Sequence, residues 1–216
     1  RSREGGYDIV MQARSGLMSI TGDENGTIAK VGVAVIDVAT GLHASSAIIA
    51  ALYRREKEGI GAKLTLSLWD CAIDLLVNQA QNAIISGKNP VPMGSSHPNL
   101  VPYRAYKTLD SEFVIAVGSD EQWEKLALAL RLEIPLDSDW SKNSQRVEDR
   151  KLVDAMISKS VKQLTSSELE SLLDGIPCAP VNSIKQALSD PNSTERGMLS
   201  STLGIKHVSS PHRFHN

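Results

Sequence analysis

Unbalanced charge, abundant cysteine and long apolar runs are all missing from this chain of 216 residues. Lysine and arginine number 23 against 25 aspartates and glutamates, a formal net charge of −2. No basic stretch runs along the sequence, so no nucleic-acid partner is expected. A ligand with phosphates would have to be held by local cations or backbone N–H groups. The two cysteines, Cys71 and Cys178, lie far apart among apolar neighbours. With no C-x-x-C pair or His/Cys cluster, they read as buried thiols of a reducing compartment, and no metal site is expected. Apolar runs are broken well short of a membrane span, so no membrane partner is expected either. Residues 1–7 lack the apolar region of a signal peptide. There is no initiator Met, so the chain reads as part of something longer. Gly16 to Gly22 lacks the spacing of a phosphate loop.

What is present suits a soluble α/β protein. Hydrophobic residues make up 41% of the chain and charged residues 22%, which allows one large domain or two small ones. The run Val31 to Ile36 is β-branched and predicts a buried strand. Leu42 to Glu58 is Ala-rich and predicts a helix stopped by Gly59 and Gly61. Leu64, Leu66 and Leu68 alternate, which predicts a second strand over 63–68. Residues 69–86 predict a deeply buried helix ending at Gly87. Strand and helix in alternation argue for an α/β unit over 1–89. Residues 90–102 are rich in Pro, Gly, Ser and Asn and form a long connecting loop. A small α+β domain over 103–206 opens with a hairpin, Tyr103 to Lys107 and Phe113 to Val117, turning at Asp110 and Ser111. Its helices begin at three capping-box patterns: Ser119 with Gln122, Thr165 with Glu168, and Ser183 with Gln186. In the first, Trp123, Leu126, Ala127 and Leu130 share a face.

Asp37 is the strongest chemical candidate. It lies where the apolar run gives way to a helix, near the ends of strands where α/β folds bind ligands. A helix N-terminus keeps a carboxylate ionised and suits a nucleophile. The same position also suits an aspartate that only caps the helix. Tyr7 and Asp8 offer a ring face, a hydroxyl and an orienting carboxylate, and Gly5 and Gly6 allow close backbone approach. They could equally form a surface turn. The small-residue loop Gly94, Ser95, Ser96 and His97 could close over a substrate, or His97 could only fix the turn before Pro98.

Taken together, several motifs resemble one family. They are Tyr7 to Gly22 (YDIVMQARSGLMSITG), Gly32 to Gly41 (GVAVIDVATG), and Ala50 to Glu56 with Gly59 and Gly61. Further along come Gly94 with His97, Pro102 with Tyr103, Gly118 with Gln122 and Trp123, and Gly175 to Asn182 (GIPCAPVN). Asp190 with Pro191 and Arg196 with Gly197 complete the set. In this order they resemble the class III CoA-transferases, nearest to the succinate–hydroxymethylglutarate type. The resemblance implies part of a Rossmann-like large domain, carrying catalytic and CoA-binding residues over 1–89. A small domain follows over 103–206, and 207–216 begins a return to the large domain. The family's N-terminal part is missing from this chain.

The resemblance makes Asp37 the nucleophile, in a transfer of CoA to a carboxylic acid, expected to be a dicarboxylate, through an aspartyl-CoA thioester. Backbone donors at the helix start would stabilise the oxyanions. Glu4, Gly5, Gly6 and Tyr7 would line the CoA site, Gly94 to His97 would cover the intermediates, and Asp8 and Gln12 would support. Arg14 and Arg104 are candidates for a second carboxylate. Coenzyme A would be a substrate, with no permanent cofactor. An interlocked homodimer is implied, in cytoplasm or mitochondrion. The α-methylacyl-CoA racemases share the fold but place a His-Asp pair where this chain has Tyr7 and Asp8. A tyrosine of ordinary pKa exchanges α-protons poorly near neutral pH. A racemase-like enzyme and a non-catalytic CoA-binding subunit are the alternatives.

Overall fold

The computed structural model describes residues 6–214. The chain divides into two compact units, Arg1–Pro98 and Asn99–Asn216, so the boundary falls inside the connecting loop. Glu4 and Gly5 lie outside the described residues.

The first unit is helical among its described residues. Helix α1, Asp8–Ser15, ends at Gly16, whose φ of 91° is left-handed. Helix α2, Val35–Glu58, is 24 residues long and ends at Gly59 with φ 70°. Glycine adopts this geometry without a Cβ clash, which explains both stops. Helix α3 spans Leu68–Asp74 and α4 spans Val77–Ser86, which ends at Gly87. Met11, Ile36 and Ala72 form the small core of this unit.

Several local expectations need correction here. The run 31–36 is not a strand, because α2 begins at Val35, not near residue 42. The backbone donors of this segment go to side chains of α1, and to Val33 O for Val35 N, in place of a strand ladder. Residues 63–67 lie outside any described strand; Ser67 caps α3 by accepting from Asp70 N at 3.1 Å. The expected helix over 69–86 is broken at Leu75 and Leu76, where Val77 follows with φ 43°. It is not deeply buried either, for Ile84 and Ile85 are about three-quarters exposed (75% and 77%). The expectation about apolar runs also fails for one element. By length and composition alone, α2 is apolar enough to cross a membrane, with a mean hydropathy of 1.6 in its apolar window. Ala, Ser, Thr and Gly fill its middle, so its helical length is not visible as a run of large apolar residues.

The second unit is built around a three-stranded antiparallel sheet of β1 (Tyr103–Lys107), β2 (Glu112–Ala116) and β3 (Cys178–Pro180), in that order. Tyr106 pairs with Phe113, and Ile115 with Cys178. Helices α5 (Asp120–Ala129), α6 (Asn143–Glu148), α7 (Arg150–Val161) and α8 (Ser166–Leu172) follow in chain order between β2 and β3. Phe113, Ile115, Trp123, Leu126, Trp140, Val153, Ile157 and Leu169 belong to its core. The capping boxes at Thr165 and Ser183 are complete, the second starting α9, Ile184–Ser189. At Ser119 only half forms, because Gln122 Oε1 accepts from Gly118 N at 2.7 Å.

Helix α10, Pro191–Glu195, leads to a hairpin the sequence reading missed: β4 (Leu199–Thr202) and β5 (Ile205–Val208). Leu203 and Gly204, at φ 51° and 80°, turn it. That is the backbone of a type I′ turn, for which a glycine in a two-residue loop is the signal. Strand β5 runs across residues 206 and 207.

Candidate active site

The N-termini of α1 and α2 come together around one carboxylate, that of Asp8. It occupies the first position of α1. Its Oδ1 accepts from Ile36 N at 2.8 Å and Asp37 N at 3.4 Å. Its Oδ2 accepts from Gln12 Nε2 at 2.5 Å. Gln12 is fully buried, and its Oε1 accepts from Val31 N at 2.9 Å. Asp8 and Gln12 are one turn apart on one face of α1 and together grip the backbone that leads into α2.

The reason for a carboxylate at position 8 is local. Ala34, the residue before α2, has no side chain able to cap it. The first N–H groups of a helix lack partners within it and carry partial positive charge. Asp8 satisfies two of them from 28 residues away and also favours the N-terminus of α1. The capping role open to Asp37 therefore belongs to Asp8. Asp37 itself is exposed on the first turn of α2. Among the described residues no side chain hydrogen-bonds its carboxylate. Tyr7, directly before Asp8, is largely exposed (78%). Tyr7, Asp8 and Asp37 thus share one neighbourhood, with the ring and one carboxylate open and the other carboxylate committed.

The expected oxyanion donors are not free. Ile36 N and Asp37 N go to Asp8, Val35 N to Val33 O, and Val38 N to Ala34 O. The start of α2 has no unpaired amide to offer a reacting carbonyl.

Gly94 belongs to the same unit. Its N–H donates to Gly22 O at 3.0 Å, and it packs against the Glu24 side chain. Its φ of 58° is left-handed, and Ser96 N closes the turn onto Met93 O. Gly22, at φ 148°, has the carbonyl of Thr27 only 1.8 Å from where a Cβ would stand, so no other residue fits. Asp23 Oδ1 accepts from Asn25 N and Thr27 N. These bonds hold the Asp23 carboxyl below its usual range, chiefly through Thr27 N. Gly94 therefore rests on a rigid turn. Asp23 before Asn25 and Gly26 is a legible turn signal; its partnership with Gly94 crosses some seventy residues and was not legible.

Arg104 is engaged in the second unit. It is 3.3 Å from Asp154 Oδ2 and lies over the Tyr106 ring. Tyr106 donates its hydroxyl to Asp154 Oδ1 at 2.6 Å. Burial and then the Asp154 charge push the Tyr106 hydroxyl well above its usual range, so it stays a donor. Arg14 is in the last turn of α1.

His43 has an acidic neighbour the sequence reading did not give it: its Nε2 is 3.4 Å from Asp74 Oδ2. They line a cleft of about 310 Å³ with Ser67 and Asp70. Thr65 and Cys71 line it as well, and Ser67 is already the cap of α3. No group of three or more potential metal ligands occurs among the described residues.

The chain matches the CoA-transferase family III pattern over residues 1–215. It is 36% identical over 196 residues to a succinate–glutarate CoA-transferase of Agrobacterium fabrum, covering 89% of this chain and 49% of that one. It is 34% identical over 201 residues to the human succinyl-CoA:glutarate CoA-transferase, covering 92% and 46%. The fold superposes on a CAIB/BAIF family protein from Brucella suis with a TM-score of 0.80 at 36% identity, covering 99% and 57%. The chain therefore spans about half the length of these relatives. With the family pattern matched along nearly its whole length, it belongs to CoA-transferase family III.

Proposed function

We propose that the protein containing this chain transfers CoA from an acyl-CoA to a carboxylic acid, with Asp37 as the covalent carrier. The observation that carries this reading is the pair of carboxylates at the start of α2. Asp8 holds the helix, and Asp37 is left exposed and unbonded on the first turn. A nucleophile needs accessible lone pairs, and a fixed backbone keeps it in place.

Asp37 attacks the donor thioester carbonyl and expels CoA thiolate, leaving an aspartyl–acyl anhydride. The thiolate attacks the Asp37 carbonyl and releases the donor acid, leaving an aspartyl-CoA thioester. The acceptor carboxylate attacks that thioester and frees the thiolate, forming a second anhydride. The thiolate then attacks the acyl carbonyl, giving the product thioester and regenerating Asp37. The cycle as a whole exchanges one thioester for another of similar energy, passing through higher-energy anhydrides, so the transfer needs no external driving force. The oxyanions must be met by donors other than the first amides of α2, which Asp8 already occupies. Water must be kept out, because each intermediate hydrolyses; Gly94 to His97 is the segment proposed to cover it. Tyr7, with Gly6 before it, is proposed to line the CoA site.

The acceptor is proposed to be a dicarboxylate, in keeping with the succinate and glutarate named for the relatives. Arg14, in the last turn of α1, and Arg104, beside Asp154, are the candidate cations for its second carboxylate. An interlocked homodimer is proposed, and the exposed apolar faces of α2 and α4 supply surface for it and for the rest of a longer chain. On this reading α2 is a core helix, not a membrane span.

Trapping tests the carrier. The full-length protein is incubated with acyl-CoA, quenched with hydroxylamine or borohydride, and mapped by mass spectrometry. Modification at Asp37, lost with turnover in Asp37→Ala, is the expected result. Modification elsewhere, or an active Asp37→Ala variant, overturns it.

A further inference from the structure

The four hydrogen bonds around Asp8 and Gln12 have a fixed direction. The amides of Val31, Ile36 and Asp37 can only donate. Gln12 Oε1 must therefore accept from Val31, which turns Nε2 towards Asp8. Asp8 then faces a donor on both sides: Nε2 at one oxygen, the α2 amides at the other. Only a group that accepts on both sides satisfies position 8, and that is a carboxylate. The chain of bonds runs from buried Gln12 through Asp8 to the backbone of Asp37 itself.

We propose that Asp8 and Gln12 are positioning residues for the reaction at Asp37, acting as a polarity-matched brace that sets where the first turn of α2 stands. The proposal rests on Asp37 being the nucleophile. The Asp37 carboxylate hangs from a backbone whose N–H and preceding residue are both held by Asp8. Among the described residues no other side chain caps this helix start. Loosening the brace moves the reacting oxygen without removing it. A shift of about 1 Å at a reacting group can lower a rate by about a hundredfold.

The direction of the bonds supplies the test. Asp8→Asn offers one acceptor and one donor. Either its amide N–H group meets the α2 amides, or it meets Gln12 Nε2; one contact is donor against donor. Gln12→Glu alone sets two carboxylates 2.5 Å apart. The double variant D8N/Q12E restores every bond. The Asn oxygen accepts from Ile36 and Asp37, its amide donates to the new carboxylate at position 12, and that carboxylate still accepts from Val31. The total charge of the pair is the same as in the wild type.

The measurement is single-turnover acylation of Asp37 in the full-length protein at saturating acyl-CoA, with the site of label mapped. The dissociation constant of the acyl-CoA and the thermal midpoint are recorded beside it. The expected result is that D8N and Q12E each slow acylation about tenfold or more. In the double variant the rate recovers to within about threefold of wild type. The acyl-CoA dissociation constant stays unchanged throughout. A merely structural role would lower the midpoint and leave the acylation rate of the folded protein alone. Singles that acylate Asp37 at the wild-type rate, or a double variant slower than either single, overturn the brace while leaving the nucleophile intact. Wild-type label at another residue overturns the nucleophile and the brace together.

Discussion

The carboxylates of Asp8 and Asp37 meet at one helix start and are bonded in opposite ways. Asp8 accepts three hydrogen bonds, two of them from α2 amides. Asp37 accepts none from any described side chain. Charge at a helix N-terminus is favourable for both, so the dipole alone does not tell a cap from a nucleophile. Exposure and bonding separate the committed carboxylate of Asp8 from the open one of Asp37, which is the one proposed as nucleophile. A different logic applies to Arg146, which is fully buried. It donates to Val101 O, Trp140 O and Asp120 Oδ1 and lies over the Trp123 ring. Its hydrogen bond is the main cause that holds the Asp120 carboxyl below its usual value of 3.8. A carboxylate with a lowered folded pKa adds stability that is complete above its unfolded value and vanishes as pH falls through the folded one. Asp120→Asn should therefore be less stable than wild type near neutral pH. The gap should close below about pH 4 in denaturant titrations run across pH. A gap that stays constant into acid would show that the Asp120 charge contributes nothing.

At the level of elements, the helix stops and starts were legible because they are local. Gly59 and Gly87 end their helices in left-handed geometry, and Thr165 and Ser183 begin theirs with full capping boxes. The hairpin β1–β2 was legible from its apolar face and turn residues. The strand expectations over 31–36 and 63–68 were not met, for a non-local reason. An extended β-branched run becomes a strand only beside a neighbour it can pair with. At 31–37 the amides are instead claimed by Gln12 and Asp8. The Asp8 cap was invisible for the same reason. A cap is sought next to its helix, and Ala34 gives no hint of one. The break at Val77 has no turn residue to announce it. Strand β3 is three residues long and pairs across sixty-odd residues, too short to give a pattern. Asp37 is a candidate by position and resemblance, and neither revealed what holds its backbone.

For the molecule as a whole, the two units differ in how much they bury. The second has a continuous core that includes Phe113, Trp123, Trp140, Ile157 and Leu169. The first has Met11, Ile36 and Ala72 with a few partly buried neighbours, while Leu42, Ile49 and Tyr53 on α2 stay mostly exposed. A unit with its own core can fold by itself. A fragment of residues 99–214 should unfold cooperatively in a thermal melt, and a fragment of residues 1–98 should show no cooperative transition. The reverse result would contradict this division of the core. The catalytic reading places all the chemistry on the less self-sufficient unit, so it must be tested in the full-length protein. The proposed covalent cycle moves an oxygen atom. The acceptor carboxylate bridges to Asp37 in the second anhydride, and its bridging oxygen remains on Asp37 when thiolate takes the acyl group. With acceptor labelled by oxygen-18, repeated turnover should place the label in the Asp37 side chain and then in the released donor acid. Turnover that leaves Asp37 unlabelled in the digested protein would contradict the account.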